Sequence, residues 1–366
     1  MDELSPQERA VYNLVAANPF ASQVELATAL GVARPTIAAH IMALVRKGHL
    51  LGRGYMLPVA QRIVALGAAA IDRKYHALAA LVSGTSNPAS ASRSFGGVAR
   101  NVIENLARLG VATSLVTIIG DDEAGREILR QLRDLGVDTG MIAISMTEPT
   151  AEYVAILDPN NDLAIGVANM GVFDQFSLAQ FERAWPHLAS AAIVFADCNL
   201  PADILAALIS RARTANCLVA IDTTSTPKSA RLPRDLTGVD ILFTNRDEAA
   251  AMLGRSMDPE TAATSLRARG AAKVVLTLGR AGCLVAEAHG ITRVQPPRVT
   301  ARDVTGAGDA LIAGTLYRLL AGEELAAAAR VGARLAALTV ASEATVLLTL
   351  SAEMLDRAPR TRKKAT

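Results

Sequence analysis

From Arg62 onward, short β-branched runs alternate with amphipathic helical stretches, and this alternation constrains the fold more than any other feature of the chain. The runs include Ile63-Val64-Ala65-Leu66, Thr113-Ser114-Leu115-Val116-Thr117, Ala192-Ile193-Val194-Phe195, Leu218-Val219-Ala220-Ile221, Ile241-Leu242-Phe243 and Lys273-Val274-Val275-Leu276-Thr277. Their near-continuous apolar character requires burial on both faces, and helical stretches between them supply crossovers. The expected fold is therefore α/β, a doubly wound and mostly parallel sheet spanning about 62–350. One region breaks the alternation. Residues 152–158 and 163–167 flank Pro159-Asn160-Asn161-Asp162 with no helix between them, which reads as a hairpin. The Ser-, Ala- and Gly-rich stretch 77–95 is its expected partner, so a small β lid is expected around 77–95 and 151–170.

Residues 1–58 read as a separate unit. Ser5-Pro6-Gln7-Glu8 is a capping box with Pro at the first helical position, opening a helix with Val11, Leu14 and Val15 on one face. Ser22 caps a second helix that Gly31 ends, and a third runs from about Arg34 to Lys47. Two short apolar pieces around Gly52-Arg53-Gly54 read as a hairpin. This is the element order of a winged helix-turn-helix. If the third helix reads DNA, Arg34, Thr36 and His40 face a major groove and Arg53 on the wing touches phosphate. The alternative is a winged helix used for packing or dimerisation. A monomer makes few phosphate contacts, so DNA binding would favour a homodimer. The segment 351–366 is a basic tail, read either as a solvated end or as a weak nucleic-acid contact.

Composition narrows the class. Net charge is +2, hydrophobic residues make up 51% and charged ones 20%, so neither disorder nor a global bias toward nucleic acid is indicated. Cys198, Cys217 and Cys283 are scattered without a C-x-x-C pair, which predicts reduced, buried thiols rather than a disulfide framework or zinc site. The acidic, polar N-terminus is unlike a signal peptide, and the apolar stretch 325–340 is interrupted by Arg330 and Arg334. A cytoplasmic protein with no membrane partner is expected.

The chemistry concentrates in Asp303-Val304-Thr305-Gly306-Ala307-Gly308-Asp309-Ala310, which runs straight into an apolar helix. Small residues let successive N–H groups of Gly306, Ala307 and Gly308 turn toward one point at a helix N-terminus, with the Asp309 carboxylate in the first turn. That pairing of an anion hole and a base suits phosphoryl transfer to an alcohol. A plain helix start would use the same residues. Elsewhere, Gly96 and Gly97 permit close backbone approach, and Asn101 can bond vicinal hydroxyls. Asp72 follows the first strand, where a carboxylate can hold a diol. Asn245 and Glu248 lie on one helical face, suited to a hydrated Mg²⁺ and phosphates. Thr277, Gly279 and Gly282 leave room for a nucleotide. No P-loop, G-x-S-x-G elbow or histidine metal spacing occurs.

The ordered set G-G-x-x-x-N at 96–101, N-x-x-E at 245–248, T-x-G-x-x-G at 277–282 and D-x-T-G-A-G-D at 303–309 resembles the ribokinase-like (PfkB) carbohydrate and nucleoside kinases. The resemblance implies ATP with Mg²⁺, Asp309 as base, the 306–308 amides as anion hole, and Asp72, Gly97 and Asn101 at the sugar. It further implies Asn245, Lys228 and Thr277 to Gly282 near ATP, Glu248 serving Mg–phosphate through water, and a potassium ion near Asp303 and Thr305. Gly96-Gly97-Val98-Ala99-Arg100-Asn101, Ala168-Asn169-Met170 and Ala196-Asp197-Cys198-Asn199 more narrowly resemble pseudouridine kinases. That adds Asn169 and Asn199 to the substrate side and implies phosphorylation of a ribosyl nucleoside's 5′-hydroxyl, with DNA-binding autoregulation through the N-terminal unit. Where many sugar-phosphorylating relatives carry Glu before Pro, this chain has Asn199-Leu200-Pro201; and Ile221-Asp222-Thr223-Thr224 lacks their Asp-Pro. Ribose or another sugar as acceptor, and a transcription regulator using the fold as a ligand sensor, stand as alternatives.

Overall fold

The computed structural model describes residues 4–19, 21–51, 61–214 and 217–356. The expected wing with Arg53 and the basic residues from 357 onward lie outside the described residues.

Three helices open the chain: α1 (Pro6–Ala17), α2 (Gln23–Leu30) and α3 (Arg34–Arg46). Ser5 and Ser22 each cap through a reciprocal box, with Glu8 and Glu25 returning to the cap amides at 2.8 and 2.6 Å. Gly31, at φ 64°, ends α2, and α2 and α3 meet at 107°, within the range of a helix-turn-helix. Val11, Val15, Leu26, Ile37, Leu44 and Leu50 form the core of this unit. Arg34 and Thr36 are exposed on α3, with His40 half-buried.

The body follows, in chain order: β1 (Ile63–Leu66), β2 (Ala70–Ala77), β3 (Ala89–Gly96), α4 (Val98–Arg108), β4 (Thr113–Val116), β5 (Ile118–Gly120), α5 (Glu123–Asp134), β6 (Ala143–Ser145), β7 (Glu152–Leu157), β8 (Leu163–Asn169), α6 (Leu178–Ala189), β9 (Ile193–Asp197), α7 (Ala202–Ala212) and β10 (Leu218–Asp222). It ends with α8 (Thr226–Ser229), β11 (Ile241–Asn245), α9 (Arg246–Leu253), α10 (Pro259–Ala268), β12 (Lys273–Thr277), β13 (Cys283–Glu287), β14 (Gly290–Val294), α11 (Ala307–Leu320), α12 (Leu325–Val340) and α13 (Ala352–Asp356). Eight strands form the main sheet in the order β14-β13-β12-β11-β10-β9-β1-β4, parallel from β12 to β4. Burial alternates across it. In β9, Val194 and Ala196 join one core while Ile193 and Phe195 join the other, so the sheet is covered on both faces. The three cysteines are free and buried, as their spacing predicts.

A second sheet, in the order β3-β2-β7-β8, stands apart from the first. The partner of the 152–167 hairpin is expected in 77–95, which holds most of β3 and the loop before it. Instead β2 pairs parallel with β7 and antiparallel with β3, and the intervening stretch contains the loop between those strands. β2 escapes detection because Asp72, Arg73, Lys74, Tyr75 and His76 put polar groups on both of its faces. Asp72, expected at the end of the first strand, thus lies within β2. Among the described residues, no single helix is long and apolar enough to cross a membrane.

The N-terminal helices rest on α6. The Trp185 indole N–H donates to the Arg46 carbonyl at 3.3 Å, and Gly48 lies so close to Ala189 and Ser190 that a Cβ there would meet backbone at 2.4 Å.

Candidate active site

Parallel strands aim their C-terminal ends at one crevice, and the chain loads those ends with polar groups. α11 begins there. Gly306, at φ 79°, supplies the left-handed turn, and a side chain on it would strike the Thr345 carbonyl at 2.1 Å, so only glycine fits. The N–H groups of Gly308 and Asp309 lie in the first turn, where no intrahelical acceptor is available. The space beside Gly308 is open to 4 Å. Of the three expected hole amides, that of Ala307 turns back to the Val304 carbonyl at 3.3 Å.

Asp309 is partly exposed and accepts a hydrogen bond from Asn101 Nδ2 at 2.7 Å. Burial pushes its pKa up to about 7; Asn101 and Arg100 oppose the rise, while the Asp197 and Asp72 carboxylates add to it. A carboxyl poised there can take a proton at neutral pH. Asn101, expected to meet hydroxyls, is thereby turned to the candidate base. Its Oδ1 accepts from Arg100 Nη1 at 2.6 Å. Arg100 is itself buried, ion-paired with Glu104 and stacked over Phe95 at 5.3 Å.

Asp72 packs against Gly96, whose missing Cβ would meet its carboxyl at 2.3 Å. Burial raises its pKa, against the pull of Arg100 and Lys74. Gly97, at φ 92°, lets α4 start against the Ala68 carbonyl, 2.5 Å from where a Cβ would stand. Asp197 joins the site without belonging to the expected set. Fully buried, it accepts from the N–H groups of Ala68 (2.8 Å) and Ala99 (2.9 Å), and from the Asn199 backbone and side-chain amides (2.9 and 2.8 Å). It therefore locks the exit of β1, the start of α4 and Asn199 together. A carboxylate closing the apolar run of β9 is the signal that marks it. Lys228 donates to Asn199 Oδ1, and Arg231 to the Asn199 carbonyl at 2.6 Å and to Asp174 at 2.9 Å.

On the other side, Asn245 caps α9, accepting from Asp247 and Glu248 N–H at 2.9 Å, and donates to Glu248 Oε1 at 2.7 Å. Glu248 also accepts from Thr223 Oγ1 and from the Asn245 N–H. Oε2 thus accepts two hydrogen bonds and Oε1 one. Asp222 lies close by; burial together with Glu248, Asp309 and Asp197 raises its pKa well above the ordinary value. Among the described residues no three His, Cys, Asp or Glu side chains converge at metal-ligand spacing. Thr277 ends β12, and Gly279 and Gly282 turn at φ 58° and 87°. Gly279 faces open space. Asn169 stands exposed at the end of β8, opposite Glu152, and is not bonded to this cluster.

The expected potassium position does not fit. Asp303 Oδ1 accepts from the Thr305 N–H (2.8 Å) and hydroxyl (2.6 Å), while the Lys74 ammonium bonds Asp303 Oδ2 and lies 3.1 Å from Thr305 Oγ1. A cation at these side chains would have to displace an ammonium.

This geometry meets its family in the comparisons. The profile of the pfkB family carbohydrate kinases matches residues 60–351, and that of winged helix-turn-helix DNA-binding domains matches 4–48. The chain belongs to the pfkB carbohydrate kinase family, with an N-terminal winged helix-turn-helix domain. It is 29% identical over 96% of its length to an uncharacterised sugar kinase of Escherichia coli K12, YeiI, covering 98% of that protein. It is 28% identical to the pseudouridine kinase of the same organism, over 69% of this chain and 82% of that one. Among solved structures, a carbohydrate kinase from Agrobacterium tumefaciens superposes with a TM-score of 0.71 at 30% identity, covering 81% of this chain and 95% of that one.

Proposed function

We propose that the protein phosphorylates the 5′-hydroxyl of a ribosyl nucleoside with ATP, and that pseudouridine is the acceptor. The carrying observation is Asp309, held by Asn101 at 2.7 Å in the first turn of α11 beside the open face of Gly308. In this reading the acceptor hydroxyl lies between Asp309 and the γ-phosphate. Asp309 takes the hydroxyl proton as the new P–O bond forms and the bond to ADP breaks, while the N–H groups at the tip of α11 hold the charge on the equatorial oxygens. Glu248 and Asn245 would hold Mg²⁺ through water, and the ion bound with ATP would supply charge to offset the phosphates. Asp72, Gly97 and Asn199 face the sugar side, and 277–282 the nucleotide.

Family membership supports the kinase reading, and the likeness to a pseudouridine kinase, together with an amide at Asn199, supports the nucleoside. The units 1–58 and 62–350 act as DNA-binding and kinase domains, the β3-β2-β7-β8 sheet as a lid. The exposed side of β8 that carries Ile165 and Val167, turned away from the cavity, suits a second copy of the chain in a cytoplasmic homodimer. A panel of nucleosides and free sugars assayed with MgATP tests the substrate. Pseudouridine is expected to give the highest kcat/KM; a preference for ribose or another sugar overturns the nucleoside assignment but not the kinase. The winged helix favours a second reading, a regulator that only senses its ligand. It requires binding without ATP consumption, which the same panel detects.

A further inference from the structure

Along β2, Asp72, Lys74 and His76 share one face, and this face meets the 303–305 loop across a cavity of about 1300 Å³. Lys74 reaches over it to Asp303 and Thr305. The two Asp303 oxygens divide the work: Oδ1 gathers the Thr305 N–H and hydroxyl, and Oδ2 takes the ammonium. Lys74 and Asp303 side chains are only 21% and 25% exposed, so the pair is shielded from solvent screening. The next residue is Gly306, the turn from which the α11 hole is built, itself pressed on the Thr345 carbonyl. The loop is thus clamped at 303–305 from the four-stranded sheet and at 306 from the 345 segment. The Asp303 carboxylate leaves a negative charge beside the anion hole, which a cation offsets. Here that charge is tethered.

We infer that Lys74 is a positioning residue standing in for a free monovalent cation: its ammonium fixes the Asp303–Thr305 loop, and through it the α11 anion hole, so that turnover needs no potassium. The kinetic part rests on the kinase reading above; the stability part does not. Because Asp72 lies two residues away on the same strand, the sheet that presents Asp72 to the acceptor also sets the hole.

The test uses the full-length protein with KCl exchanged for choline chloride at constant ionic strength. Wild type is expected to keep the same melting midpoint and the same kcat in both salts. Lys74→Ala is expected to melt lower in choline and to recover in KCl, with kcat at least about tenfold down in choline and partly restored by K⁺ or methylammonium. Lys74→Arg is expected to retain most of the activity. A severalfold loss of wild-type kcat or a fall in its midpoint on removing K⁺ overturns the inference, whether or not the variants fold; so does a Lys74→Ala protein that matches wild type in choline. If no acceptor in the panel is phosphorylated, the kinase reading fails alone, and the melting comparison still decides the role of Lys74.

Discussion

The proposed base itself makes a titratable prediction. Asp309 sits near 7 because burial and the Asp197 and Asp72 charges outweigh Asn101 and Arg100. Only its ionised form can accept a proton, so kcat/KM should rise with pH, bend near 7 and level off above it. Asn101→Ala removes a bond that favours the charged form and should move that bend upward, with kcat reduced. A pH–rate profile of the two proteins checks this; a bend that stays in place would mean Asn101 does not tune the base. At this scale much was legible. Asp309 and Gly306 stand in a motif whose spacing announces a helix tip. Lys74 and Asp197 were not, nor was the bond from Asn101 to Asp309, because the partners lie 229, 129 and 208 positions away. No local pattern encodes those distances.

At the level of elements, the parallel strands declared themselves because burial on both faces leaves unbroken apolar runs, as in β9 and β12. β2 did not, since a strand over a crevice must carry Asp72 and Lys74 inward and still present Arg73 and Tyr75 on its other side. The α11–α12 hairpin shows a further constraint. Gly314 and Gly332 face each other, and a Cβ on Gly332 would lie 2.3 Å from the Leu311 carbonyl and 2.4 Å from Thr315 Oγ1. Gly332→Val should force these helices apart and cost about 1–3 kcal/mol. Urea unfolding should show a lower midpoint at unchanged slope, and an unaltered midpoint would contradict the packing described. Because α11 carries Asp309 at its tip, kcat should fall with stability.

In the whole molecule, α6 joins the two regions. It follows β8 of the four-stranded sheet through the 171–175 turn, and its end holds Arg46 and Gly48 of the N-terminal domain. Trp185→Ala should loosen that seat. Hydrogen exchange should then speed up in α3 while the main-sheet strands stay protected, and equal protection of α3 in both proteins would place the anchoring elsewhere. Arg34 and Thr36 remain outward with the domain seated, so docking leaves the candidate DNA face open.

The most direct measurement is steady-state turnover of Asp309→Asn on the best acceptor from the panel, with MgATP. The amide keeps the size of the carboxylate but cannot take the proton, so kcat should fall by about 10² to 10⁴ while the melting transition persists. A folded Asp309→Asn protein that turns over at the wild-type rate would show that the group at the tip of α11 is not the base.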